Sequence, residues 1–167
     1  SFSPILENKG YIQGMDLLEN VSTQVRRTSH NLMPEILLEN GLVKALDRYC
    51  LSITNNSLQL LFIPIGDVQR FTVGFELAIY RIIQELINNI IRHSNASQAL
   101  VQLSQNENQL ILSIEDNGSG FLTDNITEGT GLGSIRKRVR ALSGQIEIYS
   151  QINKGTQVYL EFDVGNL

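Results

Sequence analysis

Four side chains suited to an anion and its counter-ion recur along one stretch. Glu85, Asn89, Arg92 and His93 stand at i, i+4, i+7 and i+8, and on a helix they fall within an arc of about 100°. Mg²⁺ takes oxygen ligands and keeps waters and substrate phosphates, so the amide oxygen of Asn89 suits it as a single protein ligand. Arg92 and His93 suit phosphate oxygens. Taken alone, the same four residues also read as a solvated polar face, which is the simpler interpretation.

Asp116 is less easily set aside. Leu110, Leu112, Ile114 and Asp116 share parity along one strand, so the carboxylate points where the apolar side chains point. An inward carboxylate costs free energy unless donors reach it, and an adenine amino group is such a donor. The competing interpretation is a hairpin turn at Asn117-Gly118. Against it, Gly118-Ser119-Gly120-Phe121 follows and the next apolar element is a helix. A second glycine cluster, Gly129-Thr130-Gly131-Leu132-Gly133, leads into a helix from Ser134. Glycines there let backbone approach an anion, and a helix N-terminus offers free N–H groups. No strand precedes these glycines and no Gly-Lys-Ser/Thr occurs, so neither a dinucleotide fingerprint nor a Walker loop is present.

The elements that must position these residues follow from periodicity. Met15 to Leu32 reads as a helix, with Leu17, Leu18, Val21 and Val25 as its apolar stripe, and Pro34 ends it. Gly41 opens a second apolar-periodic segment through Leu42, Val43 and Leu46 to Tyr49 and Cys50, and Leu58 to Ile63 follows as a strand. Thr72 to Arg92 is the strongest helix, with Ile79, Ile83, Leu86, Ile87 and Ile90 on one face. Strands are expected at 99–105, 109–116, 145–150 and 156–164, with a basic helix from Ser134 to Leu142 capped in left-handed conformation at Gly144. This order gives antiparallel hairpins with helices on one face: an α+β, two-layer α/β sandwich. The expected boundary lies between Tyr49 and Leu58, with a helical arm and linker at 1–52 and the sandwich at 53–167.

Composition bounds the function classes. Apolar residues make up 42% and charged residues 18%, a globular balance. The net charge of -4 argues against a nucleic-acid partner. Cys50 is the one cysteine, so no internal disulfide forms and a reducing, cytoplasmic setting is expected. No apolar run approaches the roughly 20 residues that cross a bilayer, so no membrane contact is expected of this chain. The chain begins at Ser1 without an initiator methionine or targeting segment, as expected of a piece of something longer.

The motifs in their order resemble the box pattern of the GHKL ATPase superfamily. "QELINNIIRHS" resembles its N box, "EDNGSGF" the first glycine box, "GTGLGSIRKRVRALSGQIEI" the second, and "NKGTQVYLEF" the last. The likeness covers Thr72 to Phe162 and implies a pocket for ATP and Mg²⁺. By that resemblance Asn89 is the Mg²⁺ ligand and Asp116 the adenine anchor. Arg92 and His93 meet phosphates, and Gly118 and Gly120 shape the wall. Gly129, Gly131, Leu132 and Gly133 cradle phosphates, while Gly155 and Thr156 close the base. Glu85 stands where ATP-hydrolysing relatives activate water and where kinases use an acid for polarisation or metal support.

Only eight residues, Phe121 to Glu128, separate the two glycine boxes. That short lid, without a phenylalanine box, is similar to the nitrate-sensor-like subfamily of two-component sensor histidine kinases. "VRRTSHNLMPEILLENGLVKALDRYC" resembles the second helix of that subfamily's dimerisation and phosphotransfer domain and its connection onward. The resemblance implies a protein histidine kinase that dimerises through the arm in its parent and passes phosphate to a response-regulator receiver domain. His30, followed by Asn31 and close to Pro34, does not match the acceptor, which the subfamily carries on the first helix, here expected upstream of Ser1. Two alternatives share the pocket: an ATPase conformational switch, which needs a following transducer domain, and an anti-sigma-factor-like serine kinase, which the kinase-like arm disfavours.

Overall fold

The chain divides into two compact units, Ser1–Glu35 and Ile36–Leu167. The computed structural model describes residues 35–123 and 131–165, which lie in the second unit but for Glu35. The helix expected at Met15 to Leu32, His30, Gly129 and most of the short lid lie outside the described residues.

Five strands form one sheet in the order β1-β2-β3-β5-β4, with β1 at Gln59–Ile65, β2 at Gln98–Gln105, β3 at Gln109–Asp116, β4 at Gln145–Gln151 and β5 at Gly155–Asp163. Among the described residues three α-helices accompany it: α1 (Glu35–Ile53), α2 (Val73–Asn89) and α3 (Gly131–Ala141). The two-layer α+β expectation holds. One pairing departs from the hairpin scheme, since β1 and β2 run parallel. A parallel pair needs a crossover, and α2 lies between these two strands in the chain. β1 is an edge strand, which is why it tolerates Pro64.

The alternation read from the sequence sets the core. Val101, Leu103, Leu110, Leu112, Leu160 and Phe162 are fully buried, as are Ile79, Ile82, Ile83 and Ile87 of α2 and Ile135 and Val139 of α3. The core also continues into α1, where Leu37, Leu42, Leu46 and Tyr49 are buried in the same cluster. Tyr49 packs edge-on against Tyr80 of α2, ring centroids 5.8 Å apart. From Ile36 onward α1 is thus packed within the unit that runs to Leu167. The apolar stripe that reads as the end of an arm is the stripe α1 buries within the sandwich unit.

Arg70 fastens α1 to the start of α2. Its Nε donates to Glu76 Oε1 at 3.0 Å and its Nη2 to the Leu37 and Leu38 carbonyls at 3.4 and 3.3 Å. Gly41 kinks α1 at φ +81°, and a Cβ there would meet Arg70 Cδ at 2.6 Å. Cys50 is buried and its thiol is pushed up to about 12, by burial first and then by Asp47. It is a packing residue with no thiolate chemistry at neutral pH.

The cap of α3 also differs from expectation. Ser143, at φ 55°, is the left-handed residue, and the amides of Ser143 and Gly144 donate to the Arg140 and Val139 carbonyls at 2.9 Å each. That is a Schellman pattern with serine in the glycine position. Gly144 is needed for space instead, since a Cβ would strike the Phe162 ring at 2.5 Å. Among the described residues no helix is long and apolar enough to cross a membrane.

Candidate functional site

A cavity of about 560 Å³ opens between α2, the ends of β3 and β5, and the N-terminus of α3. Glu85, Asn89, Arg92, His93, Asp116, Gly120, Gly131, Leu132 and Thr156 all line it. Chemistry-bearing residues spread over 72 positions of sequence thus come to one place. Leu86, Ile90, Ile114 and Val158 supply apolar wall, and Ser94, Ser119, Phe121 and Leu122 complete the lining.

The α2 helix does not continue to Arg92 as expected. At Ile90–Ser94 the backbone widens into a π-helical turn and ends at Asn95 in left-handed conformation, φ 52°. Such turns recur at functional sites. Here the turn breaks the ideal spacing that put Glu85, Asn89, Arg92 and His93 in one arc. Arg92 and His93 are exposed at the cavity edge, while Glu85 and Asn89 are half-buried. Ser94 seals the turn: its Oγ donates to the Ile90 carbonyl at 2.8 Å and accepts the Ala96 amide at 3.0 Å.

That turn is clamped onto the first glycine cluster. The Ser119 amide donates to the Ser94 carbonyl at 2.6 Å, and a Cβ on Gly118 would collide with that same carbonyl. Glycine is required by this close approach. Asn117 holds the other side: its Oδ1 accepts the Ser97 and Gln98 amides at 3.0 Å each. The clamping roles of Asn117 and Ser94 are not legible in the sequence. No spacing signal marks either.

Asp116 is 6% exposed. Its Oδ1 accepts the Gly118 amide at 2.8 Å, which leaves Oδ2 as an acceptor for a ligand. Burial pushes its carboxyl above the ordinary range, the Gly118 amide opposes that, and Glu115 adds to it. Gly155, at φ +84°, packs against the backbone of Asp116, where a Cβ would collide with the Asp116 carbonyl. Gly120, at φ +57°, is crowded in the same way by the Gln151 carbonyl. Gly118, Gly133 and Gly155 do not line the cavity but shape the backbone beside it.

At the other end, Gly131 opens α3 beside α2. A Cβ on Gly131 would sit 3.4 Å from Asn89 Oδ1 and 3.8 Å from Glu85 Oε1. The Nδ2 of Asn89 is buried without a hydrogen-bond partner, a state that a bound polar group would relieve. Among the described residues no cluster of three His, Cys, Asp or Glu could hold a metal by itself. A cation here would take most of its ligands from elsewhere, as Mg²⁺ does with phosphates and water. The donor set fits that ion.

Comparison with known proteins places the chain in a family. Residues 74–166 match the model of the histidine kinase-, DNA gyrase B- and HSP90-like ATPase family. The chain is 33% identical over 160 residues to the sensor histidine kinase ComP of Bacillus subtilis, spanning 92% of this chain and 20% of that one. It is 31% identical over 163 residues to the oxygen sensor histidine kinase NreB of Staphylococcus carnosus, spanning 96% and 46%. The chain thus spans less than half the length of these two curated relatives. Among solved structures, the histidine kinase AdeS of Acinetobacter baumannii aligns with a TM-score of 0.57 at 19% identity, covering 98% of this chain and 96% of that one. The histidine kinase domain of a blue-light-activated kinase from Erythrobacter litoralis gives 0.58 at 21%, covering 72% and 64%. At these identities the structures speak for the fold. The resemblance to sensor histidine kinases drawn from the boxes is borne out.

Proposed function

The chain belongs to the histidine kinase-, DNA gyrase B- and HSP90-like ATPase family, and from that premise we propose that it is the ATP-binding catalytic domain of a two-component sensor histidine kinase. The observation that carries this reading is the single cavity joining Asp116 and Thr156 at one end to Glu85, Asn89 and the start of α3 at the other. An acceptor-only carboxylate beneath apolar walls suits an adenine amino group. A helix N-terminus opposite an amide and a carboxylate suits phosphates and their cation.

In this reading Asn89 would supply a protein ligand to Mg²⁺, which when bound would neutralise charge on the phosphate oxygens. Glu85, one turn earlier on α2, would polarise the site or support that cation. The amides at the start of α3 and the Arg92 and His93 side chains hold phosphate oxygens, and Gly129 would extend that cradle. Phosphoryl transfer asks for positioning and electrostatics above covalent chemistry, and these groups supply both. The γ-phosphoryl passes to the imidazole of a histidine on a dimerisation helix and then to a receiver-domain aspartate of a response regulator. By resemblance that histidine is not His30. The stretch before α1 would belong to the dimerising arm of a cytoplasmic kinase module.

The test is phosphotransfer in trans. With γ-labelled Mg-ATP and a separate dimerisation domain carrying its histidine, the chain should place acid-labile, base-stable phosphate on that domain. Label released only as inorganic phosphate would favour an ATPase switch, and acid-stable label on serine would favour an anti-sigma-factor-like kinase. Acid-labile label on His30, lost in His30→Gln, would overturn the assignment of the acceptor.

A further inference from the structure

Ser150 lies one strand behind the cavity. In the sheet register Asp116 of β3 is opposite Thr156 of β5, and Thr156 is opposite Ser150 of β4, so the three form a row across the sheet. Asp116 and Thr156 line the cavity, whereas Ser150 does not. The half-buried Ser150 hydroxyl has three neighbours. It accepts the Phe121 amide at 2.9 Å, is placed to donate to the Gly155 carbonyl at 3.2 Å, and stands at the shorter distance of 2.9 Å from Thr156 Oγ1, where either oxygen can be the donor.

A hydroxyl has one proton, so only two arrangements are open. If Ser150 donates to the Gly155 carbonyl, Thr156 spends its proton on Ser150 and presents only lone pairs to the cavity. If Ser150 donates to Thr156, the Thr156 proton is free to point into the cavity. The Watson–Crick edge of adenine carries a donor, its amino group, beside an acceptor, N1. Asp116 is the acceptor for the first, and Thr156 meets the second, directly or through a water, only in the arrangement where Ser150 donates to it. We infer that Ser150 is a positioning residue that sets the polarity of the Thr156 hydroxyl for the adenine edge while holding Phe121 at the cavity wall. The inference rests on the reading of this cavity as an adenine site.

A double-mutant cycle tests it. Calorimetry would give the Mg-ATP and Mg-ITP affinities of the wild-type chain, Ser150→Ala, Thr156→Val and the double variant. Ser150→Ala and Thr156→Val are each expected to weaken ATP about three- to tenfold and to narrow the preference for ATP over ITP, whose edge presents an acceptor and then a donor. The double variant should lose no more than the worse single one, and Ser150→Thr should restore binding. Multiplicative losses in folded variants, or an unchanged ATP affinity in Ser150→Ala, would overturn the inference while leaving the adenine site standing. A wild-type chain that binds no Mg-ATP would overturn both. Should Ser150→Ala not fold, as judged by circular dichroism, Ser150→Cys takes its place in the cycle with the volume kept and the hydrogen bond weakened.

Discussion

Asp116 and Gly155 are locked together: the carbonyl of Asp116 occupies the space a Cβ on Gly155 would need, and Gly155 meets it with φ +84°. The turn between β4 and β5 is thereby fixed against the one buried carboxylate of the cavity. Gly155→Ala should therefore destabilise the fold by about 3 kcal/mol or more and remove nucleotide binding. Two other glycines calibrate the measurement. Gly66 has φ +71° with nothing near it, so Gly66→Ala should cost only about 1–2 kcal/mol. Gly74 has ordinary φ and open space, so Gly74→Ala should be neutral or stabilising by up to about 1 kcal/mol. Urea denaturation of the three variants checks the ranking.

The Asp116 carboxyl is raised by burial, so the folded protein holds that proton more tightly than the unfolded chain. Its contribution favours folding at low pH and is lost as pH rises from the unfolded value of about 3.9 through the higher folded one. Above that window the ionised carboxylate is a standing cost in the unliganded protein. Asp116→Asn removes it, so the urea midpoint at pH 7 should be equal to or above that of the wild type. A lower midpoint would contradict this account of the residue.

Asn89 carries a buried amide nitrogen with no partner. Asn89→Ala should keep stability within about 1 kcal/mol and should abolish the gain in ATP affinity that Mg²⁺ brings, about tenfold or more. Titrations in Mg²⁺ and in EDTA separate the two effects: the EDTA affinity should change little.

Arg70 and Glu76 join α1 to α2, with Glu76 1% exposed and Arg70 48% exposed. Arg70→Ala strands a buried carboxylate and should cost about 1–3 kcal/mol. Glu76→Gln keeps the acceptor for the Phe71 amide, which now donates to Glu76 Oε1 at 3.1 Å. Combined with Arg70→Ala it should recover part of that loss. Denaturation of the two single variants and the double one gives the coupling.

The parts of the fold with a short period were legible in the sequence. The expected strands at 99–105, 109–116, 145–150 and 156–164 fall within one residue of β2, β3, β4 and β5 at each end. Parity alone put Asp116 beside Ile114 on the inner face, where it is found. Three things were not legible. The π-turn at Ile90–Ser94 leaves no mark in apolar spacing, because it changes backbone width and not side-chain type. The place of α1 depends on a contact between Arg70 and carbonyls 32 and 33 residues away. The Ser94, Asn117 and Ser150 bonds are made by residues whose types are common in any loop or strand end. A sequence states which groups do chemistry more readily than which groups hold them still.

The adenine site is tested most directly by calorimetric titration of the chain with Mg-ATP and Mg-GTP, repeated on Asp116→Asn. One ATP should bind per chain and GTP should bind more weakly by about tenfold or more, because the guanine O6 acceptor would face the Asp116 carboxylate. Asp116→Asn should lose about 1–3 kcal/mol of ATP affinity and most of the preference for ATP over GTP. No binding of Mg-ATP, equal affinity for GTP, or an Asp116→Asn variant that binds ATP as the wild type does would rule the adenine site out.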